Sequence, residues 1–471
     1  MKPLREVLKM GVPLLAGSLV EYVMYIADSV MVGRLGTDHL AAVAIGGMVS
    51  EILWAFTWTV AAAVQTFVSQ RYGRQTAEGI DDPAVLRNST AEAARIGVIF
   101  GAAAGFAALA VSFLSRPVIS ILLDDQQTIR LSMEYVGVLR WSMVPAAVFF
   151  ALYGFLSGLG KTRTLMIATI ITNIFNIIAN YLLIYGKFFF PRLEIRGAAL
   201  GTLFAQCLGL IFLTLVILSR RELREYRIFR LLKPKASEDR IGLFSGIFKA
   251  WLPVTVQNIG AFCVFLVYEG LVSRFGTVHL AVIHIVFLLI WAGKSISGGI
   301  AQGGSILVGN NLGRGDKAAA QVYVLACLIL GVVTGLALAA AGLLFPKALL
   351  APFRPETETL LHGIKALRFF APFMFVGTAA YSLEVIFTFN GRGALVLGAD
   401  LLSHGLFTLA FSWTAVLFFH GGILVVWTGY ALYLASFSLL LFAVFLSGKW
   451  IGREIVKPPE DKQAVPSSPE D

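Results

Sequence analysis

An all-α polytopic membrane protein of twelve transmembrane helices, built as two parallel six-helix repeats, is predicted by three observations. The 471 residues are 57% hydrophobic and only 14% charged, with a mean hydropathy of +0.79, whereas soluble domains carry about 25% charged residues. Apolar runs of roughly 20 residues, the length that crosses a bilayer core of about 30 Å, follow one another almost from end to end. One pattern also recurs at a fixed offset. Arg274-Phe-Gly276-Thr277-Val-His279-Leu280-Ala281 repeats Arg34-Leu-Gly36-Thr37-Asp-His39-Leu40-Ala41 at 274 − 34 = 240, and the same offset pairs Pro13 with Pro253 and Gly73-Arg74 with Gly313-Arg314.

The first run, opened by Lys2, Arg5 and Lys9, extends to about Gly33, too long for the apolar core of a signal peptide, and reads as a retained span. Spans are expected over 10–33, 42–69, 92–115, 132–157, 165–186, 197–219, 247–273, 282–308, 321–345, 364–389, 394–418 and 423–447. The basic loops then fall on one side: the N-terminus, Arg71/Arg74, Lys161/Arg163 and Arg220 to Arg240. This places both termini in the cytoplasm and the protein in the cell (inner) membrane. The loop after span 5, with Lys187, Arg192 and Arg196, breaks the pattern. Spans 1 and 7 enter from the same side, so the repeat is parallel, with a cavity between the halves.

The expected organisation is a six-helix lobe over 1–219, a basic cytoplasmic linker over 220–245, a second six-helix lobe over 246–450 and a disordered cytoplasmic tail over 451–471. The linker reads as an amphipathic basic segment lying on the anionic leaflet. The net charge of +10 belongs to these loops, so no nucleic-acid partner is expected. The partners are the bilayer and small organic molecules, and the chain is expected to be a monomer. Cys207, Cys263 and Cys327 are isolated within apolar runs and read as buried packing residues. Asn88-Ser-Thr matches a glycosylation sequon on the cytoplasmic side, a chance match.

An acid within a span is a candidate functional group, because a carboxylate at the span centre costs about 3 kcal/mol on insertion scales. Asp28 lies about one and a half turns inside the outer end of span 1; Glu21, seven residues earlier, shares its helical face, with Tyr25 nearby. Two acids and a tyrosine can take up a proton or a small cation, since crowded acids in low dielectric resist ionising together. The alternative is that Asp28 merely ties helix ends together. Glu51 lies within span 2. Asn176 and Asn180 in span 5 form an i,i+4 polar stripe able to hydrogen-bond a carboxylate or to glue helices. In the second half Gln257, Asn258, Lys294 and Gln302 make the cavity side polar, and Lys294 needs an acid or a cavity. Glu269 is expected to pair with Arg274 at the interface. Glu384 in span 10 and the pair Asp400/His404 in span 11 relay protons or else snorkel and cap. Pro13, Pro145, Pro253 and Pro372, with Gly298-Gly299 and Gly303-Gly304, mark kinks or close approaches. There is no Walker A loop, HExxH, GxSxG elbow or Cys/His cluster. Neither an enzyme, a cofactor nor a metal site is therefore expected, and work must draw on an ion gradient.

The first helix ending DSVMVGRLGTDHLAAVAI (28–45), the span-2 exit VSQRYGR (68–74) with its twin VGNNLGRGD (308–316), and span 5 with NIIANYLLIYGKFFFPRLEIRGAALGT (176–202) resemble the multidrug and toxic compound extrusion (MATE) family. That resemblance, over about residues 5–450, implies a twelve-helix antiporter exchanging H⁺ or Na⁺ for organic, often cationic, compounds. It implies cation coupling at Asp28, with Asn176 close by. Asn at position 180 resembles the NorM-like branch, where DinF-like members tend to have Asp. The acids that the NorM-like branch carries in spans 7 and 10 would fall at Ala261 and near Tyr381, so its second cation site is not reproduced, and Glu384, one turn on, is the candidate substitute. The expected coupling residues are thus Asp28, Glu21, Asn176, Asn180 and Glu384, with Tyr25, Glu51, Gln257, Asn258, Lys294 and Gln302 lining a substrate cavity. The alternative within the superfamily is a lipid or lipid-linked oligosaccharide flippase, which calls for more cavity cations than Lys294. A major-facilitator transporter, an integral membrane enzyme built on Asp400/His404 and a channel fit less well.

Overall fold

The computed structural model describes residues 2–77, 83–122, 125–230 and 238–451. Among them there are helices and turns and no strand. In order they are α1 (Lys2–Gly33), α2 (Thr37–Gln75), α3 (Pro83–Ser112), α4 (Ser115–Leu122), α5 (Gln126–Leu139), α6 (Met143–Gly158), α7 (Thr162–Tyr185), α8 (Glu194–Ser219), α9 (Arg221–Arg224) and α10 (Glu238–Ser273). They continue as α11 (Thr277–Gly313), α12 (Lys317–Leu344), α13 (Pro346–Leu350), α14 (Thr357–Phe389), α15 (Gly393–Ser403), α16 (Ser412–Phe419) and α17 (Ile423–Leu446). Twelve segments are long and apolar enough to span a membrane. Several run well past the expected ends on the side of the termini, as α2 and α11 do.

Two spans are interrupted. Between α5 and α6 the chain tightens into a 3₁₀ turn over Arg140–Ser142, just ahead of Pro145, whose ring clashes with the preceding turn and which lacks an N–H. Between α15 and α16 it widens into a π-helical stretch over His404–Phe411. Pro13, Pro253 and Pro372 sit inside helices that continue through them.

The repeat is visible in backbone detail. Gly36 and Gly276, 240 apart, head α2 and α11 at φ +130° and +102°, a region that glycine enters without a Cβ penalty. Each accepts the first hydrogen bond of its helix, from Leu40 N at 3.1 Å and Leu280 N at 3.3 Å. The ends of α2 and α11 then press together as twins: a Cβ on Gly73 would run into the Asn310 backbone, and one on Gly313 into the backbone of Gln70. Gln65 donates to Ser305 Oγ at 2.9 Å, again 240 positions away. Thr59 and Thr255 meet at 2.8 Å, and Trp251 donates to the Phe56 carbonyl at 3.2 Å. Val7 of α1 is buried among side chains of the second half, and its twin Ile247 of α10 among those of the first.

These contacts between the halves lie on the face that carries the termini. On the opposite half of the membrane Val23, Ile26 and Val30 of α1 and Leu288 and Trp291 of α11 are exposed. On that side these apolar side chains are left uncovered by the rest of the protein. Gly313→Val, which puts a branched side chain against the Gln70 backbone, is expected to part the α2/α11 seam. Disulfide trapping of a Gln65→Cys/Ser305→Cys pair should fall several-fold in that background; undiminished trapping would show that the seam does not depend on this approach.

Three expectations need correction. The apolar side of the described part of the linker turns to the protein and not outward: Leu223, Tyr226 and Ile228 are buried in the core of the first half. Polar contacts reinforce that docking, with Lys161 to Glu222 at 2.9 Å, Arg87 to Glu225 and Arg95 to the Tyr226 carbonyl. Residues 231–237 and the tail from 452 lie outside the described residues. Glu269 pairs with His284 at 3.3 Å, while Arg274 stacks over Trp413 at 5.0 Å; one helical turn carries Glu269 and Arg274 to different neighbours. Cys327 is buried, Cys207 half-buried and Cys263 exposed, because α10 presents one side outside the packed core.

Candidate functional site

The acids of the first half fall into two groups. Asp28 of α1 faces α7, where Asn180 Nδ2 donates to Asp28 Oδ1 at 2.7 Å and to Asn176 Oδ1 at 3.0 Å. Asn176 donates onward to Thr202 of α8 at 3.2 Å. Both asparagines are buried and Asp28 is partly exposed. The stripe read from the i,i+4 spacing thus meets the carboxylate, and Thr202, which sequence reasoning missed, ends the chain. Gly201 lies flat against the Asn180 side chain, leaving no room for a Cβ.

Glu21 does not join Asp28. Its electrostatic neighbour is Glu51 of α2, which accepts from Tyr25 Oη at 3.2 Å. Tyr153 of α6 lies in the electrostatic field of Glu21 and beside Gln302 of α11, on the second half. Beside it Tyr22 and Ser295 share a hydrogen bond of 2.5 Å across the halves. Among the described residues, none of Glu21, Asp28 and Glu51 has a cationic partner within ion-pair distance.

The second half carries a different arrangement. Glu384 of α14 accepts from Gln257 Nε2 of α10 at 2.8 Å. The Lys294 ammonium lies 5.2 Å from the Tyr381 ring centre and 5.4 Å from that of Trp291, so both rings supply cation–π attraction. Lys294 is 8% exposed and electrostatically coupled to Glu384 and to Asp400. Asp400 accepts from Tyr433 Oη at 3.1 Å and lies 3.7 Å from His404 Nε2. His404 stacks on Tyr433 at 3.5 Å and bonds Thr408 at 3.0 Å.

Asp400 and His404 therefore neither snorkel nor cap; both are buried. His404 opens the π-helical stretch, a distortion frequent at functional sites. Asn258, by contrast, donates to the Val254 carbonyl of its own helix at 2.8 Å. The i,i+4 spacing of Asp400 and His404 was a signal for their pairing, but nothing in the sequence tied them to Lys294 or Tyr433.

The two groups of groups differ in charge. Three carboxylates without a cation on one side can hold protons, a metal cation or an organic cation. On the other, two carboxylates lie in the field of one internal ammonium, beyond ion-pair distance of both.

The description MatE matches residues 13–182 and 253–414. The two matches begin 253 − 13 = 240 residues apart, at Pro13 and Pro253, the offset of the repeat. The chain belongs to the MatE family. Such proteins are transporters, so this MATE chain is an integral membrane transporter and not an enzyme. It is similar to "Probable multidrug resistance protein NorM" of Agrobacterium fabrum, 26% identical over 450 residues, covering 94% of this chain and 93% of the relative. A protein of the same description from Thermotoga maritima is 26% identical over 470 residues, with 96% and 94% covered.

In fold it is similar to a solved multidrug resistance MATE family transporter described as outward-facing. The TM-score is 0.81 at 19% identity, with 95% of each chain covered. A Vibrio cholerae MATE transporter gives 0.81 at 16% identity, with 96% and 98% covered.

Proposed function

We propose that this MATE chain is a secondary active antiporter that exports amphipathic organic cations in exchange for H⁺ or Na⁺. The observation that carries the reading is the set of membrane carboxylates Glu21, Asp28 and Glu51, which have no cationic partner among the described residues. A carboxylate within a membrane span needs compensation, and a coupling ion or a cationic substrate can supply it in turn. Asp28 with Asn180 and Asn176 forms the coupling site in a first lobe over 1–219, and Glu384 contributes from a second lobe over 246–450. Tyr25, Glu51, Gln257, Lys294 and Gln302 face the substrate path between them. The relatives' description as probable multidrug resistance proteins supports drug-like substrates. The protein sits as a monomer in the inner membrane with its termini cytoplasmic, as the basic loops require; a cysteine at Ser237 that reacts from outside intact cells overturns this orientation.

The test is efflux from proteoliposomes with a pH gradient and a Na⁺ gradient imposed separately. At least one gradient should drive export, and a lipophilic cationic dye should move several-fold faster than an anionic dye of matched size. Equal rates for the two dyes would remove the charge argument.

A further inference from the structure

The face opposite the termini carries a cavity of ≈ 690 Å³ between α4, α5 and the start of α8, lined by Arg116, Arg130, Glu134 and Arg196 with Ile129 and Met133. Glu134 serves two guanidiniums at once, Arg130 at 3.3 Å through one oxygen and Arg196 at 3.3 Å through the other. Arg116 has no ion pair among the described residues. With three arginines against one carboxylate the cavity holds a formal charge of 3 − 1 = +2. Arg116 and Arg130 are exposed, so no charge is buried and the site is open to a ligand at the membrane surface.

The cluster lies on the same face as Lys187 and Arg192, the loop whose basic residues break the charge pattern of the other side. Three guanidiniums against one shared carboxylate leave excess positive charge that an anionic ligand would offset.

The flank of the cavity identifies that ligand. Helix α4 buries Ser115 and Ile119 against the protein and turns Val118 and Ile121 outward, the latter 84% exposed; Phe113 and Leu114 before it are exposed too. A short helix with apolar side chains outside and an arginine beside the cavity lies at the boundary between headgroups and acyl chains. Guanidinium groups match phosphate oxygens in a bidentate geometry. We propose that this cavity binds the phosphodiester headgroup of an anionic phospholipid from the leaflet on that face, with the acyl chains running along Phe113, Leu114, Val118 and Ile121. Glu134 pre-orients Arg130 and Arg196 and gives them up in part to the phosphate, while Arg116 closes on it from α4. The assignment is independent of which ion drives transport.

Native mass spectrometry of the detergent-solubilised full chain, offered equimolar phosphatidylglycerol and phosphatidylcholine of identical acyl chains, tests it. Retained phosphatidylglycerol should predominate. Arg116→Gln should lower its retention about fivefold, the effect of one basic residue at a membrane surface. Glu134→Gln should raise retention by releasing two guanidiniums. Lys187→Gln removes the same charge from the same face outside the cavity and should leave retention unchanged. Equal retention of the two lipids, or an equal loss from Lys187→Gln and Arg116→Gln, overturns the proposal. Displacement of phosphatidylglycerol by inorganic phosphate alone, with no dependence on acyl chains, assigns the cavity to a free anion and overturns the lipid. Arg116 is exposed and makes no side-chain ion pair among the described residues, so its variant is expected to fold; an unchanged size-exclusion profile checks that.

Discussion

Asp28→Asn is expected to abolish gradient-driven export while leaving insertion and folding intact. Asparagine keeps the size of the side chain and an oxygen that can accept the 2.7 Å hydrogen bond from Asn180, so the α1/α7 contact survives. What disappears is the alternation of charge. With aspartate, a site holding neither coupling ion nor cationic substrate contains an uncompensated carboxylate in low dielectric, and this state is costly. Under the proposed antiport, ion and substrate therefore replace one another at the site, and in an alternating-access cycle that competition makes exchange obligatory. A permanently neutral side chain removes the penalty on the empty site, so turnover no longer follows the gradient. Efflux from proteoliposomes under imposed H⁺ or Na⁺ gradients measures this directly. Glu384→Gln is expected to be milder, since Lys294 already lies close to that carboxylate. Wild-type export by Asp28→Asn would make Asp28 structural; an inactive Glu384→Gln beside it would move coupling to the second group.

Lys294→Met should be the most destabilising single substitution among the polar site residues. It removes the ammonium that lies among Glu384, Asp400, Trp291 and Tyr381 and replaces it by a side chain of similar length. Taking one partner from a buried set of charges typically costs about 3–5 kcal/mol, because the remaining charge is left uncompensated. Thermal unfolding in detergent should therefore show a clear fall in midpoint. Adding Glu384→Gln to Lys294→Met should recover much of the loss, as residues in one charge network couple by roughly 0.5–3 kcal/mol. If the double variant is no more stable than Lys294→Met alone, Glu384 is not the carboxylate that depends on this lysine.

Much of the site was legible because a membrane makes ionisable residues conspicuous. Asp28, Glu21, Glu51, Lys294 and Glu384 each stood out in an apolar run, since water is not there to solvate them. The Asn176/Asn180 stripe followed from helical periodicity alone. Asp400 and His404 were visible as an i,i+4 pair, but their burial was not. A carboxylate and an imidazole some turns inside a span can reach the interface or turn inward, and the choice depends on Tyr433 of another helix, which hydrogen-bonds the first and stacks on the second. The docking of Leu223, Tyr226 and Ile228 was hidden for a similar reason: a basic segment with interspersed apolar residues fits a lipid surface as well as a protein groove.

The sequence by itself determined what is local or repeated. Span length is set by bilayer thickness, and the 240-residue offset carries its glycines into twin turns at Gly36 and Gly276 and twin contacts at Gly73 and Gly313. Helical periodicity placed acids on faces. Only the tertiary structure decided which face meets which. Asp28 finds Asn180 at a separation of 152 residues and Gln257 finds Glu384 at 127, whereas Glu21, seven residues from Asp28 on the same helix, lies with Glu51 instead. Periodicity fixes the direction in which a side chain leaves its own helix. The identity of the group it meets depends on the packing of helices far apart in the chain, and a charge in low dielectric is governed by that neighbour.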